Sequence, residues 1–401
     1  MTEENKSVKK FPNLRFSDKN GNDFPDWKFK YGNQIFSNIS NKKHNSDLPI
    51  LAITQDYGAI PRDLIDFKIT VTDKSVESYK VVEVGDFIIS LRSFQGGIEY
   101  SEYRGICSPA YIILRPNISI DRIFFKYYLK TPKYIIHLNR KLEGIRDGKM
   151  ISYSYFSDII LPLPSIDEQN KVSAFLSLIE SRIATQKKII EDLQITKKEI
   201  SFKLFKGGFN SSELRKENFQ KLGDLTYIVN KKNKENLKLP VYSINNKKGF
   251  ISQSEQFEGI DSDERGYDIS LYKIIEKETF AYNPARINVG SIGYSGNLEN
   301  IIISSLYVCF KTVDVVDDKF LFHYLRTDIF RKEVLRNVEG GVRDYLFYES
   351  FSRIKINLPD LKEQIKIAHF LSKFDEKINL ESDLLALYEN QKKYLLHNLF
   401  V

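Results

Sequence analysis

The sequence predicts an α+β chain in which two globular domains are separated by two long α-helices that form an intramolecular antiparallel coiled coil, a pseudo-two-fold internal repeat. Three observations predict it: a gapless duplication of fifty residues, a heptad-spaced apolar stripe in both copies, and a mixed strand and helix texture elsewhere. The 401 residues suffice for two or three domains, and 42% hydrophobic with 28% charged residues suits a chain that buries real cores.

In chain order the segments are a tail over 1–19, a first domain over 20–155, a shared segment over 156–208, a second domain over 209–350, and the second shared segment over 351–401. The tail opens MTEENKSVKK, without the hydrophobic stretch of a signal peptide, and no apolar run in the chain approaches the ~18 residues of a membrane span. A cytoplasmic protein is expected.

The domains alternate strand-like runs (PILAIT, DFIISL, AYIILRP, LYVCFKT) with short helical ones (RIFFKYYLKT, KFLFHYLRT). Cys107 and Cys309 lie in apolar surroundings at roughly matching places, with no CxxC spacing, so reduced core thiols are expected rather than a disulfide or metal site.

Residues 156–205 align without a gap onto 351–400, and sixteen of the fifty pairs are identical, among them Pro164/Pro359, Glu168/Glu363, Gln169/Gln364 and Phe175/Phe370. Upstream the match continues with small shifts through Gly32/Gly223, Gly58/Gly249, Arg92/Arg286 and Gly96/Gly290, as surface-loop insertions require. Each shared segment opens with a proline-containing strand (IILPLP, IKINLP); Ser165 and Asp360 then stand as N-caps, each with a Glu three residues on. Steps of three and four residues trace Val172, Leu176, Ile179, Ile183, Gln186, Ile190, Leu193, Lys197, Ile200 and Leu204. The second copy gives Ile367, Leu371, Phe374, Ile378, Glu381, Leu385, Tyr388, Lys392, Leu395 and Leu399, with its polar breaks at identical places. A helix of about 38 residues rises roughly 57 Å, too apolar along one stripe to stand alone in water, and duplication within one chain makes the other helix the expected partner.

Sixty Lys and Arg against 53 Asp and Glu give a formal charge of +7, which leans toward a polyanion. Basic residues recur in both halves: Lys42, Lys43 and His44 against Lys231, Lys232 and Lys234; Arg140, Lys141, Arg146 and Lys149 against Arg331, Lys332, Arg336 and Arg343. Phosphate contact is the functional reading and a solvated charge the ordinary one. Arg92 and Arg286 each follow a strand and precede a glycine turn, where an arginine can pair with guanine or merely pin the loop.

Catalytic motifs are missing from the sequence. The nearest match to an (N/D)PP(Y/F) methyltransferase motif, Asn283-Pro284-Ala285-Arg286, breaks at its third position, and no phosphate-binding loop, HExxH or GxSxG is present. His44, His137, His323, His369 and His397 lack ligand spacing, so no metal site is expected.

A domain, a strand ending LPLP or NLP, then Ile166-Asp167-Glu168-Gln169 or Leu361-Lys362-Glu363-Gln364 opening a long helix, all duplicated, resembles the specificity subunits of type I restriction-modification systems. That resemblance implies a non-catalytic subunit whose two target-recognition domains each read half of a bipartite double-stranded DNA site. It further implies docking of two methylation subunits, S-adenosylmethionine bound by those partners rather than by this chain, and restriction subunits in the same assembly. No methyltransferase domain precedes the first globular part, so a fused enzyme is not expected. The competing readings are a coiled-coil interaction scaffold with two ligand-binding domains and no DNA specificity, and a DNA-modifying or cleaving enzyme.

Overall fold

A computed structural model describes all residues except 1–10, 45–46, 66–75, 141–150, 208–217, 254–267 and 339–344. The chain divides into two compact units: residues 1–186 with 384–401, and residues 187–383. The division falls within both long helices, because a helix much longer than one core packs its two halves on different domains.

In the first unit a four-stranded sheet runs in the order Phe36–Ile39, Ile112–Pro116, Phe87–Ile89, Glu99–Tyr100, antiparallel throughout. Beside it lie the hairpin Leu51–Thr54/Gly58–Pro61 and the pair Lys80–Val82/Gly105–Cys107, joined by a parallel bridge between Ile50 and Ile106. In the second unit the equivalent sheet is Thr226–Ile228, Val308–Thr312, Phe280–Tyr282, Ile292–Tyr294; there the side strands merge into one sheet, with Val241–Asn245 parallel to Ile301–Ile303. The α+β topology is thus the same twice.

Two short helices back each main sheet, and their starts are written in the sequence. Asp121 caps Arg122–Tyr128 through Phe124 N–H, and Thr131 caps Pro132–Asn139. Asp317 and Thr327 do the same for Asp318–Leu325 and Asp328–Asn337. A side-chain cap of this kind satisfies a backbone donor that the helix leaves open, a contribution of about 1 kcal/mol.

The strand expected before each long helix forms and pairs antiparallel with one near the start of each domain: Ile160–Leu163 with Lys28–Tyr31, and Lys355–Asn357 with Phe219–Lys221. The long helices follow over Ile166–Gly207 and Leu361–Asn398. Ser165 Oγ accepts from Glu168 N–H and Asp360 Oδ1 from Glu363 N–H, as the capping positions require. Every station of the apolar seam is buried or half-buried in both helices, while the residues between are mostly exposed.

Each unit holds a stretch of both helices. In the first, Val172, Leu176, Ile179 and Ile183 share a core with Leu395, Leu399 and Phe400. In the second, Leu204 and Phe205 share one with Ile367, Ala368 and Leu371. The early half of one helix meets the late half of the other in each unit, which is the antiparallel coiled coil. No described helix is long and apolar enough to cross a membrane.

Two expectations need correction. Residues 11–18 are no loose tail: Leu14 N–H donates to Asn398 O at 2.9 Å, Phe16 packs edge-on against Phe175, and Arg15 holds Glu168. The two cysteines are free and buried but do not occupy matching places. Cys107 ends the strand Gly105–Cys107, whereas Cys309 lies in Val308–Thr312, whose counterpart is Ile112–Pro116. Burial pushes the thiols up, to about 12 for Cys107 and about 11 for Cys309.

Candidate nucleic-acid interface

The glutamines of the duplicated EQ motif fasten each domain to its helix. Gln169 Nε2 donates to Pro164 O at 2.9 Å and its Oε1 accepts from Asp121 N–H at 2.9 Å. Gln364 repeats this with Pro359 O at 2.9 Å and Asp317 N–H at 2.8 Å. Both are 1% exposed, so they position the sheet-backing helices rather than meet a ligand.

The polar breaks in the seam complete a second repeated device. In the first unit Lys392 Nζ pairs with Glu180 Oε1 at 2.6 Å, and Tyr127 Oη donates to Glu180 Oε2 at 2.8 Å. In the second, Lys197 Nζ pairs with Asp375 Oδ1 at 2.5 Å, and His323 Nδ1 lies 3.7 Å from Asp375 Oδ2. The lysines and the acids are each 195 residues apart, so the rungs are counterparts. Burial alone raises the Glu180 carboxyl, but Lys392 outweighs it and the group ends below its ordinary value. Burial holds the Lys197 ammonium below its ordinary value against the pull of Asp375. Glu180 and Asp375 escaped the sequence reading because they sit one position off the seam, although their acidic match at equal spacing was visible.

Arg92 and Arg286 occupy corresponding places. Each is the exposed residue before a short helical turn, Ser93–Gly96 and Ile287–Val289, with φ/ψ of −109°/6° and −136°/8°. The turns end on Gly97 (φ +82°) and Gly290 (φ +90°), left-handed positions that favour glycine. The counterpart of Gly290 is therefore Gly97 rather than Gly96, because the first turn is one residue longer.

Lys42 and Lys43 are exposed on a loop after Phe36–Ile39, which Val81 N–H ties down through Asn41 O at 2.7 Å; Ile274 N–H ties the second loop through Lys231 O at 2.7 Å. There Asn233 is fully buried and bonds Leu237 through both side-chain atoms, leaving Lys232 and Lys234 exposed on either side. Three other cations lean on neighbouring acids: Lys231 on Glu276, Arg331 on Asp328 and Arg336 on Glu333. Arg146, Lys149 and Arg343, with Lys141, lie outside the described residues.

Residues 214–389 match the family described as type I restriction modification DNA specificity domain. The chain is 24% identical over 356 residues to the type I restriction enzyme MjaVIII specificity subunit of Methanocaldococcus jannaschii, covering 82% of this chain and 80% of that one. It is 26% identical over 298 residues to the putative MjaX specificity subunit of the same organism, covering 71% and 69%. Among solved structures, the type I S subunit from M. genitalium superposes with a TM-score of 0.56 at 15% identity, over 98% of this chain and 99% of that one. A chain from a study of type I R-M complex assembly and conformational transition gives 0.55 at 14% identity, over 93% and 97%. With the duplicated fold, the paired helices and the EQ fastening, these likenesses lead to one conclusion: the chain is similar over most of its length to type I restriction-modification specificity subunits, and its residues 214–389 match the DNA specificity domain of that family.

Proposed function

We propose that the two domains each read one half of a bipartite site in double-stranded DNA, and that the chain directs methylation and restriction subunits to that site in the cytoplasm. The observation that carries this reading is the pair Arg92 and Arg286, exposed in the same backbone setting at the same place in two copies of one fold. A guanidinium fork on a rigid turn can donate to guanine O6 and N7 in the major groove, while Lys42, Lys43, Lys232 and Lys234 supply the charge that phosphates require. Two methylation subunits would carry S-adenosylmethionine and the transfer chemistry, with restriction subunits joining the same assembly. This chain's work is then binding and orientation.

The test is footprinting of the complex reconstituted with its methylation subunits on a randomised split-site library. The expected result is protection of two short sequences separated by an unread gap, with affinity falling steeply as salt rises. Salt-insensitive binding without any preferred split site would favour the scaffold reading.

A further inference from the structure

The hairpin of each unit turns immediately beside its arginine loop, and the two are fastened together. In the first unit the tip is Gln55-Asp56-Tyr57, closed by Gly58 at φ +68°. Gln55 Nε2 donates to Arg92 O at 3.4 Å, and the Gln55 side chain fills the space where a Cβ on Gly96 would stand, 2.6 Å away. Lys130 Nζ donates to Gln55 O at 3.2 Å, fixing the tip from the far side. In the second unit the tip is Asn246-Lys247-Lys248, closed by Gly249 at φ +72°. Arg326 donates to Lys247 O at 3.0 Å, and Ser291 Oγ to Ile244 O at 3.0 Å. A Cβ on Gly290 would lie 3.7 Å from Asn246 O. Lys130 and Arg326 each precede the threonine that caps the next helix, so the same cation position anchors both tips through a backbone carbonyl.

The backbone of each tip is thereby pinned while its side chains stay outside: Asp56, Tyr57 (68% exposed), Lys247 and Lys248 all face solvent. The two tips differ in chemistry where their scaffolds agree. A carboxylate can only accept, and next to DNA it is repelled by phosphates, so in the major groove its base partners are the amino groups, cytosine N4 or adenine N6. Lysine can only donate, toward guanine O6 or N7, thymine O4 or a phosphate.

We propose that each hairpin tip and its arginine loop form one composite base-reading head, with Asp56 selecting an amino-bearing base in one half-site and Lys247 a donor-accepting position in the other. This rests on the DNA-reading function proposed above and goes beyond it by assigning readers and the hydrogen-bond class of their bases.

The experiment compares wild type with Asp56→Ala and Lys247→Ala in the reconstituted methylation complex, by selecting bound sites from a randomised split-site library. Asp56→Ala should relax one position of one half-site by about tenfold to a hundredfold, the position favouring C or A in the wild type, and leave the other half-site untouched. Lys247→Ala should act on the other half-site only. The untouched half-site reports that the variant is folded and assembled. Unchanged preferences in both variants, or changes falling in the same half-site, would overturn the composite head while leaving DNA reading intact. A wild type without any preferred split site would overturn the underlying function instead.

Discussion

Gln169 and Gln364 show how much a single side chain settles here. Each amide spans a strand end and a helix start, one atom donating and another accepting, with almost no exposure to water. Replacing Gln169 by alanine leaves two backbone groups without that partner and replacing Gln364 leaves three, Val315 O among them, at a desolvation cost of about 1–3 kcal/mol for each group. Gln169→Ala and Gln364→Ala should therefore lower the midpoint of urea unfolding, whereas Gln→Ala at the exposed Gln391 should not. Equal midpoints for all three variants would mean that the fastening contributes nothing. Glu168 illustrates the same economy: its spacing suggests a helix cap, and its buried carboxylate also receives Arg15 through Nε at 2.8 Å and Nη2 at 3.0 Å.

At the scale of the helix pair, apolar stations supply the association and the polar rungs break its symmetry. Tyr127 in the first unit is replaced by His323 in the second, against the same kind of acid and lysine. Burial holds the His323 imidazole well below its ordinary range; Lys197 pushes the same way, with Asp375 opposing. A base whose folded pKa is depressed stays neutral in the native state, while the unfolded chain takes up a proton below about pH 6.5. Its contribution is present above that pH and is lost as pH falls, with a slope of at most about 1.4 kcal/mol per pH unit. His323→Tyr, which copies the first unit, should flatten the loss of urea stability between pH 7 and pH 5. A variant with the wild-type slope would place the acid sensitivity elsewhere.

Taken whole, the molecule is one fold used twice with different loops. The sheets, caps, fastening glutamines and arginine turns repeat, while the hairpin tips differ in charge, with Asp56 on one and Lys247 on the other. Replacing residues 20–155 by the matching part of a relative should change one half of the DNA target and leave the other as it was. Methylation maps of cells carrying the hybrid test this directly, and a change in both halves would contradict independent reading by the two domains.

The sequence by itself determined the duplication, the helix starts at Ser165 and Asp360, the seam and its polar breaks, because these rest on local periodicity and short-range capping. The strands of the sheets were legible as runs, but not their order, since pairing joins residues far apart in the chain. Only the tertiary structure decided that Cys107 and Cys309 lie on different strands, that Gly97 answers to Gly290, and that residues 11–18 are docked. It alone brought the hairpin tips against Arg92 and Arg286, for the physical reason that a loop's position is set by the packing beneath it, which no spacing along the chain encodes.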